Sequence, residues 1–126
     1  MPIKIRMQRR GRKGIPFYHI VVADSRESRD GRNISNLGFY SPLTKTIKIY
    51  IDHAIFWLEK GALPTDTVRS LLSKIGVLYK KHLLLGMRKG VFDTAEVVNR
   101  FEKWIEQNSN IYINQNLNLL VFVKEN

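Results

Sequence analysis

The apolar period of this chain changes once, from two to 3.6, near residue 52, and this limits the fold more than any other feature. Ile3-Lys4-Ile5-Arg6-Met7 alternates strictly, the pattern of a strand with one buried and one cationic face. Phe17 to Ala23 is apolar on both faces and rich in β-branched residues, which suits a central strand. Between them, Arg9 to Pro16 carries two glycines and a proline and reads as a hairpin loop. Asp24 to Asn33 has no apolar residue, so it is expected to be a surface loop with Asp30-Gly31 as its turn. Ile34 to Tyr40 and Ile47 to Ile51 are further strand candidates, parted by a Ser41-Pro42-Leu43 turn.

Past residue 52 the spacing is helical. Asp52 is placed to cap a short helix through Lys60, stopped by Gly61. Pro64-Thr65 opens a second helix, with Val68, Leu71, Leu72 and Ile75 on one stripe and Gly76 at its end. Residues 77–92 are basic and glycine-punctuated, with a short apolar run at Leu83-Leu84-Leu85, and the part from residue 81 reads as a basic linker. Asp93 with Glu96 forms a capping box for a helix along Val97, Phe101, Trp104 and Ile105. After Asn108, Ile111, Ile113 and Leu117 to Val123 look strand-like, with no partner that the sequence can name. The expected fold is α+β: a mostly antiparallel sheet of four to five strands, two short helices packed on it, and a C-terminal helix. No apolar run approaches 18 residues, so a soluble chain that keeps its own N-terminus is expected.

Charge divides the chain differently. Residues 1–32 hold nine Lys/Arg against three acids, and residues 33–92 repeat that count; residues 93–126 hold three against five. A domain so basic repels itself, and the usual compensation is a polyanion, whose site should lie before Phe92. Zero cysteines exclude disulfides, thiolate metal sites and cysteine nucleophiles. Lys4, Arg6, Arg9, Arg10, Arg12 and Lys13 are six cations before the first acid, Asp24. Gly11 and Gly14 let backbone approach phosphate, and each guanidinium matches two phosphate oxygens. Arg26, Arg29 and Arg32 recur at period three, as do Asp24, Glu27 and Asp30, so each set forms its own ridge in an extended or 3₁₀ conformation. The opposing reading is a self-neutralised loop.

An enzyme would have to use the same acids. Asp24, Glu27 and Asp30 with His19 offer oxygen ligands to Mg²⁺ for phosphodiester cleavage. Neighbouring arginines compete for those carboxylates, however, and His19, His53 and His82 stand at no metal-binding spacing. Tyr18, Phe39 and Tyr40 suit either base stacking or core packing, while Trp57, Phe101 and Trp104 fall on helical stripes and are assigned to packing. The readings that stay open are a structural RNA binder, a general architectural protein on nucleic acid, and a Mg-dependent nuclease. The expectation is the first: no catalysis, no cofactor, no metal, no membrane and no small-molecule substrate.

A family resemblance sharpens this. Lys4-Ile5-Arg6, Arg9-x-Gly11-Arg12-Lys13, Pro16-Phe17-Tyr18, Ile20 to Arg26 and Arg29-Asp30-Gly31-Arg32 resemble ribosomal protein sixteen of the bacterial-type small subunit. The likeness continues through Leu37-Gly38-x-Tyr40-x-Pro42-Leu43, Trp57-Leu58, Gly61-Ala62-x-Pro64 to Val68 and Leu71-Leu72, in unbroken order to about residue 80. Asn33 departs from a usual large apolar residue, Ser41 from Asn or Asp, and Leu63 from Gln. The resemblance implies a core domain over 1–80 and an extension over 81–126, made of basic linker, amphipathic helix and strand-like tail. It implies binding to the 5′ domain of small-subunit ribosomal RNA, in a bacterial or organellar ribosome, with neighbouring ribosomal proteins met through the extension. The expected RNA contacts are Lys4, Arg6, Arg9, Arg10, Arg12, Lys13, Arg26, Arg29, Arg32, Tyr40, Lys45, Lys80 and Lys81.

Overall fold

Alternating Ile3, Ile5 and Met7 begin a strand that runs further than their pattern does: β1 spans Ile3–Arg12 and pairs antiparallel with β2, Ile15–Asp24. The structure, a computed structural model, describes residues 2–108, 110–114 and 118–123. The expected loop over Arg9 to Pro16 is therefore strand, closed by a two-residue turn at Lys13-Gly14. Its breakers fit the ladder. Gly11 has φ 93°, and a Cβ there would sit 2.5 Å from the Ile15 carbonyl oxygen, so only glycine lets the strands approach. Pro16 falls before Tyr18, where β2 first meets its other neighbour, so no ladder donor is lost on that side.

β3, Ser35–Ser41, and β4, Thr46–Tyr50, continue the meander around a turn at 42–45. The chain then enters α1, Ile51–Glu59, with Asp52 inside the first turn rather than capping it; Asp52 instead accepts from Asn118 Nδ2. A short β5, Leu63–Pro64, lies parallel to β1. Thr65 Oγ1 accepts from the Val68 N–H and opens α2, Asp66–Ile75. Much of the segment read as a linker lies in α3, Val77–Arg88. Its pattern is weak because only Val77 and Leu83 are buried, and Gly76 serves two helices at once, ending α2 and starting α3. The Asp93 carboxylate accepts from the Glu96 N–H at 2.7 Å and starts α4, Thr94–Gln107, as the capping pattern indicates.

The partner of the C-terminal tail is β4. β6, Ile111–Asn114, and β7, Leu119–Val123, form a hairpin whose second strand pairs antiparallel with β4, Ile49 opposite Leu120. The start of the strand-like stretch at Leu117 lies outside the described residues. Among the described residues the sheet has seven strands in the order β5-β1-β2-β3-β4-β7-β6, and four helices accompany it. The α+β class holds, while the four to five strands and two short helices expected become this larger mixed set, because strands and helix beyond residue 76 join the same layers.

Register sorts the faces. Ile5, Ile20, Ile47, Ile49 and Leu120 turn to the helices and are buried with Leu72, Ile75, Val97 and Phe101 in one cluster. The opposite, outer face carries Arg6, Val21 and Asn36 in one row, and Gln8, His19, Phe39, Lys48 and Val121 in the next.

Candidate nucleic-acid interface

Strand alternation places Lys4, Arg6, Gln8, Arg10 and Arg12 together on the outer face of β1. The loop from Ser25 to Ile34 folds back over that face and is fastened by main-chain acceptors. Arg6 Nη2 donates to the carbonyls of Glu27 and Ser28 at 2.8 and 3.0 Å. Gln8 is fully buried: its Nε2 donates to the Gly31 carbonyl at 2.8 Å, and its Oε1 accepts from Arg10 Nη2 and Asn33 Nδ2 at 3.0 and 3.3 Å. Asn33, a departure from the family pattern, thus has a polar partner here. Val21 and Ala23 face this side yet have no exposed surface, as expected beneath a seated loop.

The loop also closes on the sheet edge. The Ile5 carbonyl accepts from Thr65 on the outer side of β1, and Arg9, four residues on, points its N–H the same way. Asp30 Oδ1 accepts that N–H at 3.0 Å and so covers a strand-edge donor. The other carboxylate oxygen of Asp30 pairs with Arg29 Nη2 at 3.0 Å. Asp24 accepts from Arg26 Nε and Nη2 at 3.1 and 3.0 Å and from the Arg26 N–H at 2.9 Å. The guanidinium of Arg26 beside Asp24, and that of Arg29 beside Asp30, hold both carboxyls below the usual carboxylate range. The pairs join near neighbours, so the acids and arginines do not form the two separate period-three ridges. Glu27 makes no ion pair among the described residues; its main-chain carbonyl is what holds Arg6.

The expected contact residues therefore separate into groups. Lys4, Arg6, Arg10, Arg12, Lys13, Arg26, Arg29 and Arg32 come from the hairpin and the loop laid on it, and all but half-buried Lys4 and Arg6 are exposed. Arg9 has the opposite parity, with Ile5 and Met7, and contributes its main chain to the loop anchor. Arg10 is tied to Gln8, so this guanidinium has a protein partner before any ligand arrives. Tyr40 stacks on Tyr18, centroids 6.5 Å apart, on the helix side, and lines a pocket of about 230 Å³ with Lys45 and Lys74. Lys80 sits on α3 with its ammonium 4.7 Å from the Phe101 ring, and Lys81 follows it in the helical layer. Gln8, the anchor, was not among the expected site residues. Its signal was available: it is the one uncharged side chain on the cationic parity of β1 between Lys4 and Arg10.

Fold and charge together define a small basic α+β protein with an arginine-rich loop pinned to one sheet face. The family model described as Ribosomal protein S16 matches residues 9–65. A protein of Porphyromonas gingivalis strain W83, Small ribosomal subunit protein bS16, is 53% identical over 108 residues, covering 84% of this chain and 56% of its own length. Proteins of the same name from Azobacteroides pseudotrichonymphae and Flavobacterium psychrophilum are 52% and 45% identical, covering 82% and 86% of this chain and 64% and 62% of their own lengths. The chain belongs to the ribosomal protein S16 family. It spans a little over half to about two-thirds of the length of these relatives.

Proposed function

We propose that this protein is a structural, non-enzymatic constituent of the small ribosomal subunit that binds and stabilises the 5′ domain of small-subunit ribosomal RNA during assembly and translation. The observation that carries the reading is the loop held on the hairpin. Arg6, Arg10 and Arg12 of the hairpin share one face with the loop that carries Arg26, Arg29 and Arg32, and several of these guanidiniums are held before any ligand arrives. Phosphate contacts of this kind position a protein without reading sequence, which suits A-form RNA, where the major groove is closed to side chains. Two of the three carboxylates a Mg-dependent nuclease would need are engaged: Asp24 and Asp30 each hold a guanidinium and a backbone N–H.

The working place implied is a bacterial cytoplasmic ribosome. The RNA contacts are proposed to lie before Phe92, Lys81 among them, and the extension over 81–126 to pack the domain and meet neighbouring ribosomal proteins. Affinity for folded 5′-domain RNA, measured beside generic duplex DNA, tests the reading. Preference for the RNA, and co-sedimentation with small subunits at high salt, are expected; equal affinity for both would favour a general architectural protein. Cleavage with Mg²⁺ that survives purification and vanishes in Asp24→Asn would overturn it in favour of a nuclease.

A further inference from the structure

The seated loop covers only the β1–β2 half of the outer face. Across β3 and β4 that face stays open, and its register row runs from Gln8 through His19 and Phe39 to Lys48. A pocket of about 220 Å³ opens there, lined by His19, Asn36, Phe39, Lys48, Tyr50 and Leu119. We infer that this pocket holds one unpaired nucleobase of RNA, stacked along Phe39 and Tyr50, with Lys48 at its phosphate. The inference rests on the RNA-binding reading above and adds a second kind of contact to it.

Three observations select that occupant. The walls are aromatic: the Phe39 ring lies 5.0 Å from that of Phe17 and is held by it, and Tyr50 is exposed at the rim. A flat base is the part of RNA that such rings take, and any base has the face for it. The charge is of one sign. Lys48 Nζ stands 5.4 Å from the Phe39 centroid, Arg10 is the cross-strand neighbour of Phe17, and no acid lines the pocket. That disfavours an acid-free apolar peptide and favours a ring that carries a phosphate.

The polar edge is also set in advance. The Gly38 N–H donates to Asn36 Oδ1 at 2.9 Å, which fixes the amide and turns its Nδ2 to His19 Nδ1. Asn36 keeps one N–H with no partner among the described residues, a donor for the edge of a seated base. Bases inside a duplex cannot offer their faces to such a pocket, so the site discriminates unpaired from paired RNA.

Two probes and one crosslink test this. An unstructured oligouridine of about eight nucleotides and an A-form RNA duplex are titrated against the full chain and against Phe39→Leu and Tyr50→Gln. Phe39→Leu should weaken oligouridine binding about tenfold while duplex affinity stays within about twofold. Tyr50→Gln, at an exposed rim position, should act in the same direction and keeps the test alive if Phe39→Leu does not fold. With 5-iodouridine in the oligomer, irradiation of the unaltered protein should crosslink His19, Phe39 or Tyr50. Equal losses on both probes, no loss on the oligomer, or crosslinks confined to the hairpin would overturn the pocket. Failure to bind either RNA would overturn the RNA reading itself, whereas duplex binding without oligomer binding would overturn the pocket alone.

Discussion

With its amide shared among Gly31, Arg10 and Asn33, Gln8 is the polar side chain that keeps the loop seated on the sheet. Gln8→Leu preserves shape but takes the side-chain donor from the Gly31 carbonyl and releases Arg10 and Asn33, which solvent reaches. We expect a loss of about 1–3 kcal/mol in urea unfolding, with faster amide exchange confined to residues 25–34. Asp24 and Asp30 make the same loop sensitive to acid. Both carboxyls lie below their ordinary value in the folded protein, so their contribution is fully present above about pH 3.9 and is lost as pH falls through the depressed values. Loop resonances should therefore be unchanged from pH 8 to about 5 and shift only below 4, and Asp24→Asn should remove part of that shift. At this scale the sequence was informative about charge and less so about attachment. Which arginines cluster can be read from spacing, but that Arg6 would serve Glu27 and Ser28 depends on where a loop lands. A segment without apolar residues gives no local signal for that.

At the scale of elements, the junction of α2, α3 and α4 is the most exacting. Gly76 adopts φ 96°, and a Cβ there would lie 2.5 Å from the Trp104 ring. Gly76→Ala adds both backbone strain and a clash, and should destabilise by about 1–3 kcal/mol by thermal or chemical denaturation. Phe101 is 3% exposed, stacks on Trp104 and carries Lys80 on its ring, so Phe101→Ala should cost about 3–5 kcal/mol. RNA affinity of any folded fraction should stay within about threefold, since Lys80 is the one expected RNA contact that this ring holds. The N-cap at Asp93 was legible because its partner, the Glu96 N–H, is local. Helix α3 was not, because it buries two residues and its glycine at 86 packs against Phe92 instead of breaking the helix.

For the whole molecule, residues 1–92 carry an excess of 12 positive charges, and the outer face collects much of it. If six to eight phosphates are met, log K should fall against log[salt] with a slope of about −4 to −7; a slope shallower than about −2 would mean the basic face is largely idle. The order of the first four strands followed from alternation and turns, whereas the insertion of β7 beside β4 could not, because pairing at that separation leaves no mark in either segment. That pairing joins Tyr50 to Leu119. During synthesis at about 5–20 residues per second, the far edge of β4 waits several seconds for its neighbour, with Ile47 and Ile49 at an unfinished border. A newly made chain of this protein is thus a sheet open to foreign strands until β7 leaves the ribosomal tunnel, and crowding by its own copies on a polysome is where misassembly would begin.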